Sequence, residues 1–453
     1  MTSSSVHRNN SHVRVSGAHE GVHTPHIGIL GRPMLRRSTR LARARFEWAA
    51  LPTDVQVYLL ECLAEEGCAF LFYMLAVSAS VRRMAVTSLQ RLTTVPPFIY
   101  DEKTQARYDK AMMRLLVMSS KMGTWCNLTA LRLGVVSDAY TSMAFCEGSG
   151  FKSVQELCIS VESASSLAYL VKELPALTNL EIAWDPEPGA TFPELAPAPN
   201  LVSLILHLEP DDTPNCTLLL ALASLTNLET LVLRISSFDL DEPHGKLDFP
   251  TWPRLKRLHL DCDILTDQHL QALLMRHPHV CSLSLYGTDR ISGLGLLANQ
   301  SITQLSLVNC MGLTSDALAA IEGAMPLKQL AVTYFDWTAE DCAFTLDALV
   351  SFITSFPKLE ALQLDTFQQP SYGAEGSGHF SREMLGQIER SCPSIRQVLV
   401  AKDNDCLLDC LQAHADTLPR LSAAVAKVPS GDSVPWSYEA WQASSYVPTS
   451  RMV

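Results

Sequence analysis

Aliphatic residues recur along the chain in one fixed local pattern. Leu, Ile or Val occupies the first, fourth and sixth positions of a short unit, and eleven such units follow one another between residues 128 and 400. The units start at Leu128, Val154, Leu177, Leu201, Leu228, Leu255, Val280, Ile302, Leu327, Leu359 and Ile395. The first eight spacings between starts are 22 to 27 residues, and the last two are 32 and 36. Chance recurrence in a leucine-rich chain is a poor explanation for so regular a series.

The pattern predicts a short β-strand in each unit. The fourth and sixth positions are separated by one residue, so the period-two alternation of a strand turns both side chains to the same side. Units stacked in parallel would bury these side chains in one continuous core that no single unit could form. We therefore expect a solenoid whose strands expose the intervening residues on the opposite face of the sheet.

Helices are expected between the strands in the second half of the series. Thr266 and Thr314 each precede a segment with helical spacing of apolar residues, and threonine in that place is a common N-cap. The residues expected to point inward are Leu270, Leu273 and Leu274 in the first segment and Leu318 and Ile321 in the second. Prolines that would end the helices stand shortly before the next strand, at Pro278, Pro326, Pro357 and Pro393. Units two to five have proline-rich connectors instead of clear helical patterns.

The units resemble leucine-rich repeats in both spacing and sequence. The stretch from Leu305 to Thr314, which contains Asn309 and Cys310, resembles the cysteine-containing repeats common in F-box/leucine-rich-repeat proteins. A looser example surrounds Cys262. The resemblance implies an α/β solenoid, a leucine-rich-repeat horseshoe of about 11 units, preceded by a small all-helical F-box-like module.

Residues 51–85 carry the resemblance to the F-box. Apolar residues at helical spacing follow a Leu-Pro start, and Val81 stands where the family has a Trp. The matching positions are Leu51, Pro52, Asp54, Val55, Leu59, Leu63, Leu75 and Val77. We expect a helix that starts at Pro52 or Thr53, a second over residues 68–78 and a third over residues 80–92.

The resemblance implies that these residues bind the Skp adaptor of cullin ubiquitin ligases. The alternative is a helical cap that only shields the core of the first repeat. In the first case the chain is a substrate receptor, and its partners are the adaptor–cullin complex and an unknown target protein. In the second it is a protein-binding scaffold with no ubiquitin role.

The expected domains are a disordered basic leader (1–46), the F-box-like module (47–95), a linker with a cap helix (96–127), the solenoid (128–425) and a C-terminal tail or cap (426–453). The leader holds eight Arg and one acid, which gives +7 and leaves −19 for the rest of the chain. A disordered leader is favoured over a nuclear-import signal, a phosphate-contacting arm or a mitochondrial transit peptide.

Composition narrows the functional classes. The net charge of −12 disfavours nucleic-acid binding, and the longest apolar run, nine residues at 69–77, is too short for a membrane helix. Thirteen scattered Cys without a C-x-x-C pair indicate reduced thiols, so we expect the cytoplasm, the nucleus or both.

Candidate chemistry is sparse. The common nucleophile, phosphate-loop and zinc-protease motifs are absent from the sequence, so we expect a non-enzymatic protein without cofactor. His277 and His279 lie near Cys262 and Cys281, but they lack the paired spacing of a zinc site, and single buried or exposed residues are the favoured interpretation.

The residues between template positions are the best candidates for target binding. Across three neighbouring predicted strands they include Arg and Tyr, which are enriched in interface hot spots. The predicted recognition patch consists of Arg234, Arg257, His259, Asp261 and Tyr286.

Overall fold

The computed structural model describes residues 53–65, 84–85, 88–93, 125, 127–136, 150–161, 163–184, 192–193, 195, 198–208, 221–235, 249–262, 265–333, 344–365, 380–401, 407 and 411–428. The chain divides into two compact units, Met1–Gln56 and Val57–Val453. In the first unit only residues 53–56 are described. The predicted leader, the helix at 68–78, the cap helix in 96–127 and the final aromatic tail lie outside the described residues.

The strands that the structure describes form one parallel sheet, in which sequence neighbours are also sheet neighbours. They are β1 (Arg91–Thr93), β2 (Ala130–Val136), β3 (Glu156–Val161), β4 (Asn179–Trp184), β5 (Ser203–Leu208), β6 (Thr230–Ile235), β7 (Arg257–Cys262), β8 (Ser282–Tyr286), β9 (Gln304–Val308), β10 (Gln329–Thr333), β11 (Ala361–Asp365), β12 (Gln397–Ala401) and β13 (Val425–Val428). The predicted parallel strand in each unit is therefore confirmed, and the architecture is a leucine-rich-repeat solenoid.

The strand register follows the template positions. Leu231 pairs with Leu258, and Leu258 pairs with Leu283, so fourth-position residues form a continuous row across the sheet. Every side chain at a template position is 6% exposed or less. This row and its sixth-position neighbour form one side of a shared core.

Among the described residues, most of the α-helices that connect strands lie in the C-terminal half of the sheet. The described α-helices are α1 (Thr53–Glu65), α2 (Ala164–Glu173), α3 (Asp267–Arg276), α4 (Ser315–Ala320), α5 (Leu346–Thr354), α6 (Arg382–Ser391) and α7 (Pro419–Ala423), with 3₁₀ helices at Gly150–Ser153 and Leu294–Ala298. Thr266 and Thr314 are the N-caps of α3 and α4, where their hydroxyls accept from the His269 and Ala317 amides. The apolar residues predicted to point inward from α3 and α4 are all buried.

A recurring turn delivers a buried side chain to the core shortly before most of the described strands. The amide of the first template residue donates to the carbonyl three residues earlier, as in Leu255 to Trp252 (3.1 Å), Val280 to His277 (3.1 Å) and Leu359 to Phe356 (3.0 Å). The side chains of Trp252, His277 and Phe356 are each 2% exposed or less. The connectors thus close the side of the core opposite the strands.

The sheet extends beyond the eleven predicted units at both ends. The helix expected over residues 80–92 is wrong at its C-terminal end, because β1 begins at Arg91 and pairs Leu92 with Leu131. At the other end, β13 crosses the predicted boundary between residues 425 and 426 and pairs with β12. Both strands are short, so their pairing with a neighbouring strand, not a local repeat pattern, decides their conformation.

Candidate functional site

The residues between the template positions share one face of the sheet. We call this the concave face, the name it has in leucine-rich-repeat proteins. Strand alternation turns these residues away from the core, and the parallel register aligns them in three rows. A partner that approached this face would contact side chains from several repeats at once.

The predicted recognition patch lies on three adjacent strands of this face. Arg234 on β6 pairs in register with Asp261 on β7, and Asp261 pairs with Tyr286 on β8. Arg257 and His259 occupy the other two rows on β7. All five side chains are half-buried, so each retains surface for a partner. We call these five residues the β6–β8 cluster.

Electrostatics within the β6–β8 cluster keep His259 neutral. Burial lowers the pKa of His259 to about 3, and the charges of Arg234 and His207 lower it further in the same direction. The imidazole therefore contributes hydrogen-bonding capacity but no charge near neutral pH. Burial also raises the pKa of Tyr286. The charge of Asp261 raises this pKa further and the charge of Arg234 lowers it, and the phenol stays protonated near neutral pH.

The two arginines of the β6–β8 cluster are held differently. The Arg257 Nε donates to the Thr230 hydroxyl at 2.9 Å, and Thr230 is itself 1% exposed, which fixes the guanidinium against the sheet. Arg234 forms no hydrogen bond or ion pair with any other residue in the described part of the chain. Its side chain is half-buried and lies on the strand next to Asp261, with which it is in register.

A hollow lies beside the β6–β8 cluster on the concave face. Its cavity volume is about 40 Å³, and it opens to solvent. It is lined from the concave face by Thr230, Val232, Arg257, His259, Ser282, Ser284, Gln304, Ser306, Gln329 and Ala331, and its floor includes Leu231, Leu258, Leu283 and Leu305. The hollow exists because small residues at Ser284, Ser306 and Ala331 follow one another in the middle row of β8, β9 and β10.

A second set of polar side chains, Cys158, Glu181 and His207, lies on β3, β4 and β5, and it was not predicted from the sequence. The Glu181 Oε1 lies 3.6 Å from the His207 Nε2, and the proximity of His207 is the largest effect lowering the pKa of Glu181. Burial, with the nearby Glu181 carboxylate, raises the pKa of the Cys158 thiol to about 12. This thiol is therefore protonated and does not act as a nucleophile near neutral pH. Glu181 and His207 both occupy positions between template residues on adjacent strands, two positions apart in register, and this was the available signal.

His277, considered above for a metal site, is part of the core. Its Nε2 accepts from the Trp252 amide at 3.0 Å, and its Nδ1 lies 2.7 Å from the Leu273 carbonyl oxygen. Both ring nitrogens are thus engaged within the protein. In the described residues, no group of three or more His, Cys, Asp or Glu side chains is placed to hold a metal ion.

The N-terminal helix α1 contains part of the predicted adaptor-binding set. Val55 is 37% exposed and Leu59 is half-buried, whereas Gln56 and Leu60 are buried. The helix start predicted at Pro52 or Thr53 agrees with α1, which begins at Thr53. Leu51, Pro52, Leu75 and Val77 lie outside the described residues, and the side chains of Asp54 and Leu63 are not described. None of the described helices has the length and apolar character needed to cross a membrane.

Comparison with known proteins gives similarity of fold only. No protein-family model and no curated protein matches the chain. A crystal structure of a complex of Rad7 and Elc1 from yeast is 14% identical, with coverage of 82% of this chain and 89% of that chain and a TM-score of 0.43.

Two bacterial structures are similar to a comparable degree. An internalin from Listeria monocytogenes is 14% identical, covering 82% of this chain and 98% of that chain, with a TM-score of 0.37. A leucine-rich-repeat protein from Leptospira interrogans is 15% identical, covering 81% of this chain and 97% of that chain, with a TM-score of 0.36. Similarities at this level carry no inference about partners or activity.

Proposed function

We propose that this chain is a protein-recognition subunit that binds a target protein on the concave face of its solenoid. The observation that supports this most strongly is the β6–β8 cluster, in which Arg234, Asp261 and Tyr286 lie side by side on a continuous sheet. Arg and Tyr at the centre of a patch are the residues that most often supply binding energy. An unpaired guanidinium gives such a surface a preference for acidic partners.

The finer proposal is a substrate receptor of a Skp–cullin–F-box ubiquitin ligase. The segment that begins at Leu51 would hold the Skp adaptor, and the solenoid would hold the target near the ubiquitin-loading enzyme. The exposed fraction of Val55 on α1 is compatible with a docking role, because an apolar side chain on a core-facing position would be buried. The partners would catalyse ubiquitin transfer by holding the target close to the ubiquitin-loading enzyme. This chain would contribute binding only. We expect such a complex in the cytoplasm or nucleus, because the scattered Cys pattern favours reduced thiols.

A pull-down of the full chain tests the adaptor step. The expected result is that wild type captures the Skp adaptor and that a variant with Leu51→Ala and Pro52→Ala does not. The matched control is Thr251→Ala, a substitution at an exposed position of the solenoid, which should leave capture unchanged. If wild type captures no adaptor, the ubiquitin role is rejected and the scaffold remains.

Cross-linking of the full chain in cells, followed by identification of the attached proteins, tests the target step. The combined variant Arg234→Ala, Arg257→Ala and Tyr286→Ala should lose the principal cross-linked partner. A matched variant on the same sheet face, Arg132→Ala with Ser160→Ala, should retain it. Retention of every partner by the triple variant would reject the β6–β8 cluster as the target site.

A further inference from the structure

The imidazole of His277 joins two successive connectors inside the core. Its Nε2 accepts from the Trp252 amide of the preceding connector at 3.0 Å, and its Nδ1 lies 2.7 Å from the Leu273 carbonyl oxygen of α3. A backbone amide can only donate, so Nε2 carries no proton. Nδ1 then carries the proton that the Leu273 carbonyl accepts. These two contacts therefore require the neutral imidazole in a single tautomer.

The same network reaches the neighbouring repeats on both sides. The Trp252 indole N–H donates to the Leu222 carbonyl at 3.0 Å, and the indole stacks on the imidazole. On the other side, the Asn299 side-chain amide donates to the carbonyls of His277 (3.2 Å) and Val280 (3.1 Å). His277 is thus the central member of a buried hydrogen-bonded chain that runs through the connectors before β6, β7, β8 and β9.

Protonation of His277 at Nε2 removes the acceptor of the Trp252 amide. Residue His277 is 2% exposed, so solvent does not replace the lost contact. A backbone donor left unpaired in the core costs free energy comparable to a lost hydrogen bond. Burial accordingly lowers the pKa of His277 below 6.5, against the opposing effect of the Leu273 and Pro250 carbonyls.

The charged group that acts on this imidazole is Arg276. Its charge lowers the pKa of His277 in the same direction as burial. The Arg276 guanidinium donates to the Phe249 carbonyl, which holds it against the connector that contains Trp252. Among the described residues, no carboxylate acts on the ring to compensate an imidazolium. The other titratable side chains on α3 and on the two turns do not affect it, and they are Arg254, Lys256, Asp267, His269 and His279.

We propose that His277 is an acid-sensitive switch, whose protonation opens the connectors before β7 and β8 while the rest of the solenoid stays folded. Four of the five residues of the β6–β8 cluster lie on β7 and β8, so this opening disturbs the candidate target surface. The stability that depends on the neutral ring is complete above pH 6.5, the ordinary pKa of histidine. It is lost as the pH falls from that value toward the lower pKa of the folded state.

Hydrogen exchange of the full chain, followed by mass spectrometry from about pH 7.5 to about pH 5, tests the switch. Protection is corrected for the intrinsic pH dependence of amide exchange. In wild type, the amides of residues 249–256 and 273–282 should lose protection below pH 6.5, by up to about tenfold per pH unit for one proton. The amides of β10 and β11 should change by less than about twofold over the same range.

Three variants assign the response to one ring. His277→Gln does not titrate, and its side-chain carbonyl can still accept from the Trp252 amide. Its protection in the two segments should vary with pH by less than about twofold, even where the overall level is lower. The matched control His279→Gln changes an exposed histidine two residues away and should keep the wild-type response. His259→Gln removes the buried histidine on the opposite face of the sheet and should keep it as well.

A second measurement needs no variant. The slow exchange of the imidazole C2 hydrogen, followed by mass spectrometry, gives the pKa of each histidine in the wild-type chain. His277 should show a pKa below 6.5 and much slower exchange than His279. This measurement decides the question if His277→Gln does not fold.

Four results would overturn the inference. They are a His277 pKa at or above 6.5, wild-type protection that does not change with pH, loss of protection that extends equally to β10 and β11, and a pH response that persists in His277→Gln. If the response disappears in His259→Gln alone, the acid sensitivity belongs to the concave face. None of these results bears on whether the β6–β8 cluster binds a target, which the cross-linking experiment tests separately.

Discussion

In the part of the chain that the structure describes, the connectors between β4 and β7 differ from those between β7 and β12, although the strands on either side are alike. The C-terminal connectors contain the capped helices α3, α4, α5 and α6. The described residues of the earlier connectors are mainly turns, and they include the buried aromatic residues Phe192, Phe249 and Trp252. The hydrogen-bond ladder at the strand starts is the same in both regions, as in Lys256 N to Glu229 O (2.9 Å) and Cys281 N to Lys256 O (2.9 Å).

The difference shows what a repeat in this chain needs. The sheet requires an in-register strand with two inward aliphatic side chains, and both regions supply it. In these two connectors the opposite side of the core is closed by a buried side chain three residues before the first template position. Trp252 provides it from a turn, and Phe356 provides it after a helix. In both described cases, a buried aromatic side chain closes the core from the same point in the repeat.

Trp252→Ala should have the largest effect on stability. The side chain is 1% exposed, stacks on His277 with ring centroids 5.3 Å apart, and donates its indole N–H to the Leu222 carbonyl at 3.0 Å. We expect a loss of about 3–5 kcal/mol in the free energy of unfolding, measured by urea titration with far-ultraviolet circular dichroism. The neighbouring exposed Pro253→Ala is the control. A loss below about 1 kcal/mol would mean that turn connectors do not depend on their aromatic residue.

Gly312→Ala should be the next most damaging change. A Cβ at this position would lie 2.3 Å from the Asp289 carbonyl oxygen, which is backbone and cannot rotate away. We expect a loss of about 2–3 kcal/mol, because successive connectors are packed too closely to accept a methyl group. In the control Gly386→Ala the nearest atom is the flexible Arg390 guanidinium at 3.3 Å, so stability should stay the same or rise by up to about 1 kcal/mol. Equal losses at both glycines would contradict the close packing.

Asp267→Ala tests the link between α3 and the next 3₁₀ helix. The carboxylate accepts from the Ser292 amide (2.8 Å), the Ser292 hydroxyl (2.7 Å), the Gly293 amide (3.1 Å) and the Gly295 amide (2.8 Å). We expect a loss of about 2 kcal/mol in thermal or urea unfolding near neutral pH. Asp316→Ala, an exposed acid in the first turn of α4, is the control and should cost about 0.5 kcal/mol or less.

The effect of Asp267 should depend on pH in one direction. Burial would raise the pKa of this carboxyl, but the hydrogen bonds from Ser292, Gly295 and Gly293 outweigh burial and lower it below 3.8. The folded protein therefore gains stability from the ionised form above pH 3.8, and loses it as the pH falls through the folded pKa. The difference between wild type and Asp267→Ala should shrink on acidification below that pH. A constant difference would show that the charge is not involved.

Thr345→Ala should have the smallest effect. The hydroxyl accepts from the Ala348 amide at 3.2 Å and caps α5, so its loss should cost about 1 kcal/mol. Thr354→Ala at the other end of the same helix is the control and should change stability by less than about 0.5 kcal/mol. An equal response at both ends would argue that the cap does not stabilise the helix.

Part of the candidate site follows from the sequence. The template offset alone placed Arg234, Arg257, His259, Asp261 and Tyr286 on one sheet face, because alternation along a strand is a local property. The offset does not reveal that Arg257 is held by Thr230, that Arg234 is unpaired, or that small residues at Ser284 and Ser306 leave a hollow. These features arise between side chains more than 20 residues apart, at distances only the folded chain fixes.

The fold, too, is determined partly by the sequence pattern and partly by tertiary contacts. Regular aliphatic spacing determined the parallel strands and their inward residues, and threonine before apolar helical segments determined the starts of α3 and α4. Tertiary structure decided that Arg91–Thr93 and Val425–Val428 join the sheet, since a short strand is stabilised by pairing with its neighbour. It also decided that His277 and Asp267 hold successive repeats together. A periodic pattern records which way a side chain points, whereas its partner is determined by how the repeats stack.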